Sequence, residues 1–385
     1  METQKQLLVF ILCSYLCFFP SGLIDIKTKR SLQVQYYLVT NPYLILVLFL
    51  MAENYGVEGP THNERHKLYG FRPTKLFVFG DSYSDTGNVR KAIANSWKVP
   101  YGITFPGKPA GRFSDGRVFT DYLARYLGLK SPTPYRWRRY AGKRLRYGMN
   151  FAYGGTGVFD TTAPEPNMTT QIDFFQQLIH DKVYTQEDLA SSIALVTLAG
   201  NDYGAFKARN GSAGLINFIP LVVNQLVVDL KRIRGVGLKK IAVTALQPLG
   251  CLPQSTYMTS FQRCNGTENM LVGYHNLLLQ NAVAKLNTEA KDTSFVILDL
   301  YDSFLSVLND KGKILGSAKF ENPLKPCCLG MSSDYRCGSI EENGSKKYTV
   351  CDDPGSAFFW DMVHPTQEGW RAVYIALQST LEHLY

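Results

Sequence analysis

Ser82 closes the apolar run Phe77-Val-Phe-Gly-Asp-Ser, and Asp361-Met-Val-His364-Pro lies near the other end of the chain. Serine, histidine and aspartate are the residue types of nucleophilic acyl transfer. A hydroxyl is a poor nucleophile until a base takes its proton, and a carboxylate fixes the tautomer of that base and steadies its charged ring. The three need not be neighbours in sequence. Asp361 stands just before His364, and Pro365 after it keeps that loop out of helical conformation. His62, His66, His180, His275 and His383 have no comparable partner and read as surface or packing residues.

Each residue alone has a plainer reading. A serine after a strand is most often the N-cap of the next helix, and Asp-x-x-His is most often a capped turn. The chemical reading gains because the partners occur together. Asn201 and Gly155 extend the set, each following a strand-like run; Gly154 is an alternative to Gly155 in the same loop. With the Ser82 N–H they would offer three donors to an oxyanion, each typically worth ~3 kcal/mol in the transition state.

Elements must bring these groups together. Apolar runs at 76–79, 149–153, 193–198, 241–245 and 295–300 predict five strands. Helical spacing at 118–127, 172–179, 215–233, 269–286 and 366–384 interleaves with them. That alternation predicts an α/β fold, a three-layer α/β/α arrangement with a parallel five-stranded sheet covered on both faces. Ser82, Gly155 and Asn201 follow the first three strands, and in such sheets functional groups gather beyond the carboxyl ends. Residues 303–360, rich in Gly, Pro, Cys and Ser, read as a disulfide-stapled excursion.

Composition sets the bounds. With 385 residues, 45% of them hydrophobic, the chain can bury a large core. The site residues lie near opposite ends of the body, so 60–385 reads as a single catalytic domain. Residues 1–59 carry four basic and four acidic side chains, which leaves the whole +9 on the body. Part of it is the run Arg136-Trp-Arg-Arg-Tyr-Ala-Gly-Lys-Arg-Leu-Arg146, read as a solvated surface with weak contact to anionic material as its functional use. Nucleic acid is not expected as a partner. P-loop, EF-hand and His-Glu-x-x-His patterns are missing, so no metal or nucleotide cofactor is expected.

Two apolar stretches, 7–19 and 43–51, each follow Lys or Arg and fall short of the ~20 residues of a membrane span. Val57-Glu-Gly59 after the second resembles a cleavage site, so 1–59 is expected to be a signal peptide or N-terminal extension that is removed. Cys13 and Cys17 would leave with it. Cys251, Cys264, Cys327, Cys328, Cys337 and Cys351 remain, an even number suited to three disulfides in an oxidising compartment, among about fifteen possible connectivities. Asn167, Asn210, Asn265 and Asn343 begin glycosylation sequons. Export to the cell exterior or wall is the expectation.

Further blocks carry a resemblance: Gly111-Arg-Phe-Ser-Asp-Gly-Arg-Val-Phe-Thr-Asp121, Asn150-Phe-Ala-Tyr-Gly-Gly-Thr-Gly157 and Ala199-Gly-Asn-Asp-Tyr203. Pro248-Leu-Gly-Cys-Leu-Pro253, Pro326-Cys-Cys328 and Phe359-Trp-Asp-Met-Val-His-Pro-Thr366 complete it. With them the chain resembles the plant-type GDSL lipase/esterase family, the SGNH hydrolases, from about residue 71 to the C-terminus. The resemblance implies a flavodoxin-like sheet and a secreted serine esterase or lipase acting on lipid or acylated wall esters without a cofactor. It implies Ser82 as nucleophile and oxyanion donor, Gly155 and Asn201 as further donors, and His364 as base oriented by Asp361. An acyltransferase using the same acyl-enzyme and an idle binding protein on the same fold are the alternatives. Tyr83 departs from the leucine of the family motif, a change expected to bear on substrate fit. The Gly-x-Ser-x-Gly elbow is absent, against the α/β-hydrolase class.

Overall fold

The computed structural model describes residues 71–310 and 320–385. The expected leader over 1–59, with Cys13 and Cys17, lies outside them. Strands form where the sequence is apolar on both faces: β1 (Lys75–Phe79), β3 (Gly148–Asn150), β4 (Ser192–Val196), β5 (Lys240–Thr244) and β6 (Phe295–Leu298). A sixth strand, β2 (Thr133–Pro134), corrects the expected count of five; the sheet order is β2-β3-β1-β4-β5-β6, parallel throughout. It has two residues and sits at the edge, where proline's missing N–H costs no ladder bond. Without it the order is that of a flavodoxin-like sheet, with the switch point between β1 and β4.

The pleat sorts side chains between two cores. Leu76, Val78, Ile193 and Leu195 face one layer, built from α1 (Phe119–Tyr126), α6 (Leu300–Leu308) and α7 (Gln367–Ala376). Phe77, Phe79, Ala194 and Val196 face the other, where α2 (Met168–His180), α4 (Leu215–Gly235) and α5 (Gly266–Ala290) lie. Between them in sequence, α3 (Asn201–Asn210) starts at the end of β4. Caps set several starts. The Asn167 side chain accepts from Thr170 N–H at the head of α2, and Thr366 accepts from Gly369 N–H at the head of α7.

The terminal helix is shorter than expected. It stops at Ala376, and a short helix, Gln378–Leu381, and a turn, Glu382–Leu384, complete the segment. The cysteine-rich stretch also differs, because α6 runs into it. Beyond, β7 (Cys328–Gly330) and β8 (Tyr348–Val350) form an antiparallel hairpin. All six cysteines pair, as Cys251–Cys264, Cys327–Cys351 and Cys328–Cys337. The N–H groups of Cys327 and Cys328 donate to Phe359 O and Trp360 O, so the stapled hairpin braces the chain just before Asp361.

Asn210, Asn265 and Asn343 are exposed, whereas Asn167 is half-buried and its amide also donates to Asp160. The basic run coils into two 3-10 turns, Tyr135–Tyr140 and Gly142–Tyr147, and none of its six cations has an ion-pair partner among the described residues.

Candidate active site

The chain leaves β1 through Gly80, whose φ is +135°. A Cβ there would lie 2.4 Å from Thr197 O, so only glycine lets the turn close against the end of β4. Ser82 emerges from it with its Oγ 2.8 Å from His364 Nε2. On the far side of the ring, Nδ1 is 2.8 and 2.9 Å from the two Asp361 carboxylate oxygens. With the Nδ1–H donating to Asp361, Nε2 is left to accept the Ser82 hydroxyl proton. Asp361 also accepts from Val363 N–H, His364 N–H and the Tyr101 hydroxyl, the last at 2.7 Å. Burial alone would push its carboxyl up, but His364 and these donors outweigh burial and hold it below the usual carboxylate range.

Gly155 turns the loop after β3 at φ +84°. Neither its N–H nor that of Ser82 donates to any acceptor among the described residues. Gly154 N–H, by contrast, donates to Asp85 at 3.0 Å. Asn201 is the first residue of α3, and its side-chain amide donates to Thr156 O at 3.0 Å and to Asp81 at 3.3 Å. Ser82, Gly155 and Asn201 thus stand at the ends of β1, β3 and β4, on both sides of the switch point.

Three buried carboxylates that sequence reasoning missed hold this rim. Asp81 accepts from the N–H groups of Tyr83 and Ala199 and from Asn201, and burial pushes it up to about 7 against those donors. Asp85 gathers the N–H groups of Gly87, Asn88, Val89 and Gly154. Asp202 takes those of Val158 and Phe159. Burial is the main cause that raises both, to about 6. Asp85 and Asp202 therefore grip the two ends of the Gly155 loop. Asp81 and Asp202 lie inside the quoted motifs and Asp85 three residues after Ser82, but residue type alone does not mark them as supports; Tyr101 has no sequence signal.

The remaining predicted residues lie elsewhere. His275 is buried, with Nδ1 2.6 Å from the Tyr203 hydroxyl, and burial lowers it to about 4. Tyr83 does not line the site as its expected role in substrate fit requires, because its ring is buried beneath the His364 loop. Among the described residues no His, Cys, Asp or Glu cluster could hold a metal ion.

Fold and site together define a class, α/β proteins with a serine–histidine–aspartate chain at the carboxyl ends of a parallel sheet. The model of the GDSL-like lipase/acylhydrolase family matches residues 76–377. GDSL esterase/lipase At5g03610 of Arabidopsis thaliana is 62% identical over 335 residues, covering 86% of this chain and 93% of that protein. GDSL esterase/lipase At3g09930 of the same plant is 53% identical over 353 residues, covering 89% and 99%. The chain belongs to the GDSL-like lipase/acylhydrolase family, and with it to the carboxylic ester hydrolases.

Proposed function

We propose that the protein is a secreted serine esterase that cleaves lipid or acylated cell-wall esters through an acyl-enzyme on Ser82. The observation that carries this reading is the unbroken hydrogen-bonded chain from Ser82 Oγ through His364 to Asp361. In the first step His364 Nε2 takes the hydroxyl proton as Ser82 Oγ bonds to the ester carbonyl carbon. The resulting oxyanion would accept from the Ser82 and Gly155 N–H groups and from the Asn201 amide, in place of its long contact with Asp81. His364 returns the proton to the leaving alcohol. A water molecule, deprotonated by His364, then attacks the acyl-enzyme and releases the acid.

Several features support export: the apolar N-terminal stretches behind basic residues, six cysteines paired in three disulfides, and three exposed sequon asparagines. The cations from Arg136 to Arg146, none of them ion-paired among the described residues, suit weak adhesion to anionic wall polymer or lipid, which retention on polyanionic resin lost on adding salt would reveal. The reading as a whole is tested by hydrolysis of a chain-length series of nitrophenyl esters. Wild type should turn them over and folded Ser82→Ala should not; equal turnover by both would place the nucleophile elsewhere.

A further inference from the structure

We infer that the Tyr83 hydroxyl is a positioning group, tying the nucleophile turn to the histidine loop and so setting the Ser82–His364 separation. This rests on the reading of Ser82 as nucleophile and His364 as base. Tyr83 follows Ser82 directly and Val363 directly precedes His364. The Tyr83 O–H donates to Val363 O at 3.0 Å, one bond joining segments 280 positions apart. Each end of it lies a single residue from a reacting group.

The rest of the side chain is fixed. The ring is 1% exposed, so it cannot touch a substrate bound in front of Ser82. It meets Trp370 of α7 edge-on at 4.9 Å, lies parallel to Phe304 of α6 at 6.3 Å, and meets the His364 ring edge-on at 6.0 Å. Its backbone N–H is held by Asp81. One phenol thus joins the nucleophile turn to the base loop. Leucine, the residue of the family motif, would fill the same apolar space but has no donor for Val363 O.

Tyr83→Phe removes the donor and keeps the ring; Tyr83→Leu installs the family residue. Misplacement of a reacting group by about 1 Å costs on the order of 10²-fold in rate, so a partial release should cost about tenfold. In Tyr83→Phe, kcat should fall by about that factor with KM unchanged, and phosphonylation of Ser82 by a fluorophosphonate should slow in parallel. Tyr83→Leu should lose at least as much. Wild-type kcat in Tyr83→Phe would overturn the inference. So would a raised KM at unchanged kcat, which would return Tyr83 to substrate fit. A loss of kcat that disappears at temperatures where both proteins are fully folded would reduce Tyr83 to a fold-stabilising residue and also overturn it. Ser82→Ala, assayed alongside, separates the two levels, since turnover surviving in it defeats the serine mechanism whatever Tyr83 does.

Discussion

Asn201 is already committed before any substrate arrives, since its two amide hydrogens point at Thr156 O and Asp81. The contact with Asp81 is the longer and weaker, so in the proposed mechanism it is the one an oxyanion would replace. Groups oriented in advance stabilise charge that develops only in the transition state, and their loss appears in kcat rather than KM. Asn201→Ala should therefore lower kcat by about 10²–10³-fold and leave KM nearly unchanged. Steady-state kinetics on a short nitrophenyl ester checks this, and a rise in KM alone would assign Asn201 to ground-state binding. Gly155→Ala probes the neighbouring donor differently. Its φ of +84° and a Cβ 2.9 Å from that of Ala163 would force the loop to shift. The strain, about 1–2 kcal/mol, should lower the urea midpoint slightly while kcat falls more than tenfold.

Elements explain why part of this design was legible and part was not. The five longer strands announced themselves because each is apolar on both faces and ends near glycine or a polar turn. β2 did not, because two residues that include Pro134 look like loop. The break after Ala376 was hidden because Trp370, Val373, Leu377, Leu381 and Leu384 keep the helical rhythm through it and all are buried. Ser82, Asp361 and His364 could be found by residue type and motif. The hold of Asp85 and Asp202 on the Gly155 loop could not, since Gly154, Val158 and Phe159 lie far from them in sequence, and Tyr101 reaches Asp361 across 260 positions. The hairpin of β7 and β8 belongs with these hidden supports. Its Cys327–Cys351 link closes a 24-residue separation, for which the loop-entropy relation gives about 3.5 kcal/mol. Replacing both cysteines by alanine should lower stability by about that amount in urea titration. It should also lower kcat of the folded fraction, because Cys327 and Cys328 hold Phe359 and Trp360 beside Asp361. Lost stability at unchanged kcat would mean that the hairpin holds only itself.

At the scale of the whole molecule, the buried carboxylates set how stability depends on pH. Burial is the leading cause that raises Asp81 to about 7 and Asp85, Asp202 and Asp229 to about 6, from 3.8. A carboxyl raised in the fold binds its proton more tightly there than in the unfolded chain. Between about pH 4 and 7 the native state therefore holds the extra protons, and stability falls as pH rises. His275, lowered to about 4, works the other way between about pH 4 and 6.5, but one imidazole stands against four carboxyls. Asp361, held below its usual value, adds stability that is lost only on stronger acidification, below the window of the other four. The urea midpoint should accordingly be higher at pH 5 than at pH 8. A midpoint that rises toward pH 8 would mean that the backbone N–H groups around Asp81, Asp85 and Asp202 outweigh burial and keep them ionised. Urea titrations across one pH series therefore report directly which of the two, burial or the surrounding donors, governs these carboxyls.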